Sequence, residues 1–169
     1  SKYITGHFTL YATEGKEFLH ELIQCIKETG AEILIPIGES YIREVSIFRK
    51  TLAKIVNLPP ISPAEVIDSV RNKGKLAELL LSIGLPTPAT HHLSCDGHRS
   101  FFNKFGSCLI KPVYGSSGYG IKKIDDIQSL EDMLPELQRN EYILQELIPG
   151  ENIDCSFLSV NGTIKAYTI

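Results

Sequence analysis

Three stretches of the sequence hold residue types able to grip a phosphate chain and the base attached to it. In KPVYGSSGYG, residues 111–120, a lysine ends an apolar run and is followed by Gly115, Gly118 and Gly120, with Ser116 and Ser117 between them. Glycines let a backbone approach a ligand closely and turn successive N–H groups toward phosphate oxygens, and the serines add hydroxyl donors. The order of the glycines decides what kind of loop this is. Dinucleotide-binding and Walker loops read GxGxxG and GxxxxGK[ST], and both open a helix. Here the order is GxxGxG, no lysine follows the last glycine, and the next residues alternate as a strand. The loop is therefore expected to join two antiparallel strands as a flap. Kinase-type loops share that layout, but their phosphate lysine lies after the loop, whereas Lys111 lies before it. Without a ligand such a loop would be a flexible hairpin tip; a cation held on the preceding strand favours a polyphosphate.

Lys75 is a second candidate cation, at the start of a Leu-rich helix after Asn72, Lys73 and Gly74. A helix N-terminus carries partial positive charge, so a lysine there is mildly unfavourable unless an anion is near; alone, it reads as a solvated surface lysine. The third stretch is YILQELIPGENID, residues 142–154. A strand through Gln145, Glu146, Leu147 and Ile148 would offer backbone C=O and N–H groups in alternation, matching the edge of adenine. Glu151, just past the Pro-Gly turn, or Asp154 could accept hydrogen bonds from ribose hydroxyls. Taken singly, this too reads as an ordinary strand and turn.

Other chemistries fare worse. His91, His92, Cys95 and His98 could suggest a metal, but they straddle a loop and lack conventional ligand spacing. No GxSxG, HExxH or EF-hand pattern occurs, and Cys108 near Lys111 reads as packing. The 169 residues carry 17 Lys and Arg against 20 Asp and Glu, a net charge of −3, with no dense basic cluster for nucleic acid. No apolar run reaches membrane-spanning length, and SKYITGHFTLYATEG lacks a signal peptide's pattern. Four widely spaced cysteines without a CxxC pair suggest reduced, mostly buried thiols in a cytoplasmic protein.

The elements that must position these residues follow from periodicity. Glu14 to Thr29 and Tyr41 to Val56 read as amphipathic helices flanking an apolar strand, Glu32 to Ile37, with a further possible strand at Phe8 to Tyr11. Ser62 and Pro63 read as N-cap and first helical residue, with short helices at Ala64 to Val70 and about Lys73 to Ile83. LPTPAT must then run extended, because a residue before proline is pushed out of the α region. Beyond it come a helix at Gly97 to Lys104, strands at Ser107 to Val113, Ile121 to Ile124 and Glu141 to Ile148, and a helix at Asp126 to Leu134. Asn161-Gly162 predicts a hairpin within Ile153 to Ile169, and both chain ends read as cut.

The three stretches occur in the order RNKGKLAELLLSIGLPTPAT, CLIKPVYGSSGYGIKKI, YILQELIPGENIDCSFL. That ordered set resembles the ATP-grasp superfamily, in its carbamoyl-phosphate-synthase-like branch, from about Ile61 onward. The resemblance implies a mixed α/β and α+β fold: a partial Rossmann-like pre-ATP-grasp unit (1–60), a helical linker opening the grasp domain (61–93), a glycine-flap subdomain (94–148) and the start of a C-terminal subdomain (149–169). It implies ATP as ligand and a carboxylate-bearing small molecule as second substrate, joined to a nitrogen nucleophile through an acylphosphate. Lys75 and Lys111 match the phosphate-directed lysines, and Gly115 to Gly120 the flap. Gln145, Glu146, Leu147 and Ile148 match the adenine hinge. Glu151 or Asp154 matches the ribose acid; Asn152 stands where many members have another. The resemblance implies that the Mg²⁺ ligands and the catalytic arginine lie on strands beyond residue 169, and neither Asp125 nor Asp126 reads as a substitute metal ligand. A homo-oligomer is compatible with the family. The alternative is a non-catalytic nucleotide-binding or assembly module that keeps the grasp fold.

Overall fold

Backbone hydrogen bonding divides the chain into a helical first part and a mixed second part. The computed structural model describes residues 6–169, so the first five residues of the N-terminal stretch read above lie outside it. The chain divides into two compact units, the first ending at Asp68 and the second running from Ser69 to Ile169.

In the first unit, α1 (Gly15–Thr29), α2 (Glu39–Ile47) and α3 (Arg49–Leu52) gather Phe18, Leu22, Ile26, Val45, Leu52 and Val56 into one core. The single helix expected over 41–56 breaks at Phe48, which is both the C-cap of α2 and the N-cap of α3. The strand expected at 32–37 is reduced to one parallel bridge, Ile33 to Asn57, made by Leu34 N–H to Asn57 O and Asn57 N–H to Glu32 O. Pro36 has no N–H to extend it, and Ile33, Ile35 and Ile37 are 62%, 67% and 82% exposed. Residues 8–11 form no strand either. They are held by their backbone: Tyr11 N–H and Ala12 N–H donate to the Glu21 carboxylate at 2.7 and 3.2 Å. Buried Glu44 accepts from Gly15 N–H at 2.9 Å and pairs with Arg43, which forks onto Asp68 at 2.6 and 3.0 Å. Those carboxylates raise the Arg43 pKa, Asp68 most of all.

The second unit contains α5 (Lys73–Ser82), β1 (Thr90–His92), α6 (His98–Phe105), β2 (Cys108–Pro112), β3 (Lys122–Ile124), α7 (Ile127–Met133), β4 (Tyr142–Glu146) and the hairpin β5 (Ser156–Val160) with β6 (Thr163–Thr168). The helix before it, α4 (Ala64–Arg71), starts at Ala64 as read from the sequence, but its cap lies one residue beyond the Ser62 expected. Pro63 fills the cap position, its carbonyl accepting from Ile67 N–H at 3.1 Å, while Ser62 O accepts from the Ser46 hydroxyl.

Strands β1, β4, β2 and β3 form one antiparallel sheet in that spatial order, with β4 and β2 central. Side chains alternate across a strand. One face carries Cys108, Ile110, Ile124 and Leu144 onto Leu93, Phe102, Leu130 and Leu134 beneath α6 and α7. Each such Leu, Ile or Phe side chain contributes about 1.5–3 kcal/mol when fully buried. By the same alternation and the register, Leu109, Lys111, Ile143, Gln145, Thr90 and His92 belong to the opposite face. The β5–β6 turn has Asn161 and Gly162 at φ 49° and 75°, as the Asn-Gly pair predicted. Of the four cysteines, all free, only Cys108 is buried, which corrects the expectation of mostly buried thiols.

Helix α5 lies so close to β1 that a Cβ on Gly74 would fall 2.1 Å from Cε1 of His92. Overpacking of this kind costs about 1–3 kcal/mol, set against about 1 kcal/mol gained when a helical glycine becomes alanine. Gly74→Ala is expected to lower the urea midpoint of the chain, and Gly74→Ala combined with His92→Ala to cost less than the sum of the two single changes.

Candidate functional site

The first turn of α5 is tied to the strand that leads into the glycine loop. Asn72 caps the helix, its Oδ1 accepting from Lys75 N–H at 3.0 Å, and its Nδ2 donates to the Tyr114 hydroxyl at 3.3 Å. Lys73 N–H donates to Val113 O at 3.0 Å, and the Lys73 ammonium donates to Gly115 O at 2.7 Å. On the other edge, Val113 N–H donates to Glu141 O at 2.7 Å. The base of the loop is therefore fixed from both sides.

Beyond that base, residues 115–120 turn on positive φ angles: Gly115 at 124°, Ser117 at 56°, Gly118 at 72° and Gly120 at 74°. Tyr119 N–H to Ser116 O and Ile121 N–H to Gly118 O, at 3.2 and 3.3 Å, close two turns inside it. Gly120 brings the chain back over Pro112, where a Cβ would lie 2.8 Å from the proline Cγ. The loop thus joins β2 to antiparallel β3, the layout read from its glycine order.

Lys111 projects from β2, and its ammonium donates to Gln145 Oε1 at 2.6 Å. The Gln145 amide nitrogen donates in turn to the Thr90 hydroxyl at 3.1 Å. Burial, and then the nearby Lys73 charge, hold the Lys111 pKa below the ordinary lysine value. A half-buried cation beside a second cation concentrates positive charge that an anion would relieve.

The structure brings together Lys111, Gln145 and the loop, and it adds Lys73, Asn72 and Thr90, which sequence reasoning did not single out. The signal for Lys73 was its place one residue past a capping Asn; that for Thr90 lies in its strand register with Gln145. Lys75 is exposed and two residues further along α5, about 200° around the helix from Lys73. Glu146 N–H donates to Ala89 O at 2.9 Å, so that group is used within the fold. Ala89 N–H donates to the Glu146 carboxylate at 3.1 Å, leaving the Glu146 carbonyl out of a reciprocal backbone pair. Leu147 and Ile148 follow the end of β4, and Ile148 is exposed. Glu151 and Asp154 are exposed in the irregular segment before β5.

The acids near the loop have other work. Asp125 accepts from Lys123 and Ser107, at 2.8 and 2.7 Å, and these contacts lower its pKa. Asp126 caps α7 through Ser129 N–H and hydroxyl, which lowers its own. Among the described residues no three His, Cys, Asp or Glu side chains form a metal-holding group. His91 and His92 alternate across β1: His91 stacks on Phe101 at 5.6 Å, while His92 faces Gly74 and lies 3.4 Å from the Glu78 carboxylate.

With this geometry in view, the comparisons are consistent with one another. The ATP-grasp domain model matches residues 70–169, more than half the chain, and the chain belongs to that family. It is 30% identical over 150 residues to the mitochondrial arginine-specific carbamoyl phosphate synthase large chain of Schizosaccharomyces pombe, covering 84% of this chain and 13% of that one. Its fold is similar to carboxyaminoimidazole ribonucleotide synthase of Aspergillus clavatus, solved with ATP, at a TM-score of 0.59 and 15% identity over 86% of this chain and 37% of that one. It is also similar to the biotin carboxylase domain of Hydrogenobacter thermophilus 2-oxoglutarate carboxylase, at a TM-score of 0.55 and 19% identity over 76% and 31%. The chain spans well under two thirds of each of these proteins. Among the described residues no helix is long and apolar enough to cross a membrane.

Burial holds the His91 pKa below its usual value, partly offset by a hydrogen bond with the Cys95 backbone. The charged form is disfavoured in the fold, so this contribution to stability is complete above about pH 6.5 and is lost as pH falls through the lower folded value. His91→Phe, which keeps the stack on Phe101, is expected to flatten the dependence of unfolding free energy on pH in that window, read from urea melts at several pH values.

Proposed function

We propose that this chain is the ATP-binding portion of an ATP-dependent carboxylate–amine ligase or carbamoyl-phosphate-synthase-like enzyme. The observation that carries the reading is the half-buried Lys111 ammonium on β2, beside a glycine loop whose base is pinned by Lys73. In this account the triphosphate lies against Lys111 and beneath residues 115–120, whose N–H groups other than that of Tyr119, with the Ser116 and Ser117 hydroxyls, donate to its oxygens. A lysine of α5 supplies the second cation; Lys73 is better placed by its contact with Gly115, and Lys75 is the sequence-based candidate. Adenine lies along residues 145–148, accepted by the Glu146 carbonyl and the Ile148 backbone, and Glu151 or Asp154 takes the ribose. The segments 1–60, 61–93, 94–148 and 149–169 then serve as pre-ATP-grasp unit, linker, flap subdomain and the start of the C-terminal subdomain.

The chemistry proposed for the whole enzyme is attack of a substrate carboxylate oxygen on the γ-phosphorus, releasing ADP and forming an acylphosphate. A nitrogen nucleophile then displaces phosphate. The role of this chain is to hold the polyphosphate and neutralise part of its charge, which is most of what a protein contributes to phosphoryl transfer. The described residues do not fit a Mg²⁺ site, since Asp125 and Asp126 are engaged elsewhere; we place the metal ligands beyond residue 169 and route no step through them. The soluble, cytoplasmic assignment follows the same reading, as does a possible homo-oligomer.

A charge-assisted contact contributes about 1.5–3 kcal/mol, which is a factor of about ten or more in affinity. Calorimetric titration of the chain with ATP is expected to show binding that Lys111→Ala weakens at least about tenfold and Gly118→Val also weakens. Comparing Lys73→Ala with Lys75→Ala assigns the α5 cation, the larger loss marking the phosphate ligand. Affinity unchanged by Lys111→Ala would refute the site.

A further inference from the structure

Three hydrogen bonds on the loop-bearing face of the sheet form a chain with a defined polarity. The Thr90 hydroxyl donates to Pro88 O at 3.0 Å, which spends its only proton. The contact with Gln145 Nε2, at 3.1 Å, must then have Thr90 as acceptor and the amide nitrogen as donor. That fixes the amide orientation, which is otherwise a two-fold choice, and turns Oε1 toward Lys111 Nζ, 2.6 Å away. Reversing the amide would set Oε1 against the Thr90 hydroxyl oxygen, whose proton is already donated, and the amide N–H groups against the Lys111 ammonium, so each contact would become unfavourable.

We propose that Thr90 is a positioning residue: through Gln145 it fixes where the Lys111 ammonium sits in front of the glycine loop. This rests on the reading of Lys111 as a phosphate ligand and goes beyond it, because Thr90 lies on β1, two strands away from Lys111 in the sheet order. The register supports it: Thr90 pairs directly with Gln145, and Gln145 stands on β4 one side-chain repeat from Ile143, the residue opposite Lys111. Three strands thus each contribute one member. A lysine stem is flexible and carries much rotamer entropy. An oriented acceptor removes that freedom before a ligand arrives, which is how preorganised sites gain affinity.

The acceptor also favours the charged amine, opposing the burial and the Lys73 charge that disfavour it. Its loss therefore has a readout that does not need nucleotide. The pH dependence of Lys111 acetylation by acetic anhydride, followed site by site by mass spectrometry, reports the fraction of free amine. Thr90→Val keeps the shape and removes the hydroxyl; the midpoint of the Lys111 profile is expected to move to lower pH, and Thr90→Ser to restore it. Gln145→Met is expected to shift it in the same direction, and the double change to shift it no further than Gln145→Met alone, because both act on one chain of bonds. The ATP dissociation constant is expected to rise about fivefold or more in Thr90→Val and to recover in Thr90→Ser. A Lys111 profile that stays in place in both Thr90→Val and Gln145→Met would overturn the proposal. Wild-type chain that binds no ATP while the profiles shift as expected would instead count against the nucleotide reading and leave the relay standing.

Discussion

Everything at the candidate site depends on the antiparallel pairing of β2 with β4. Those two strands are the interior of the four-stranded sheet, so both edges of each are hydrogen-bonded. From that pairing come the position of Lys111 opposite Ile143, the diagonal reach to Gln145, and the point at which the chain leaves the sheet as the glycine loop. The pairing is held by the apolar face, where Cys108, Ile110 and Leu144 are almost fully enclosed against α6 and α7. Removing one buried methyl-bearing side chain there would disturb the opposite face, because a strand cannot shift one face without the other.

The division of labour between faces explains the electrostatics. One face is dry and holds the sheet together; the other carries a lysine that burial and a neighbouring cation make less willing to hold its proton. Such a group is costly in the free protein unless hydrogen-bonded, and an anion relieves it. Helix α5 contributes to the same arrangement from outside the sheet. Its capping Asn72 and the adjacent Lys73 bind the Tyr114 hydroxyl and the Gly115 carbonyl, so helix terminus and loop base are set by a single short segment. Gly74 permits this, since any side chain there would meet the His92 ring.

Much of the second unit was legible because its signals are local. Asn161-Gly162 states a turn, the glycine order states strand–loop–strand, and Leu-rich spacing states α5. What was missed depends on partners distant in sequence. The strand β1 reads poorly because THH follows a proline-rich stretch and its apolar content is low; it exists because β4 offers it an edge. EILIPI reads strongly as a strand, but the described residues give it one bridging partner at Asn57, and Pro36 ends the ladder. The helix read across Phe48 is interrupted where the chain turns to bury Val45 and Leu52 in one core. Within the site, residue types were visible and directions were not. Lys73 and Lys75 are the same residue type, so only the side-chain direction on α5 distinguishes them, and Thr90 has no meaning until its register partner is known.

The most direct measurement is an ATP titration of isotopically labelled chain followed by the backbone amide resonances. The account predicts that shifts concentrate at residues 113–120 and 145–148, with Lys73 joining them, while the α1–α3 core stays unmoved. Saturable shifts centred elsewhere, or none in the glycine loop at saturating ATP, would contradict it.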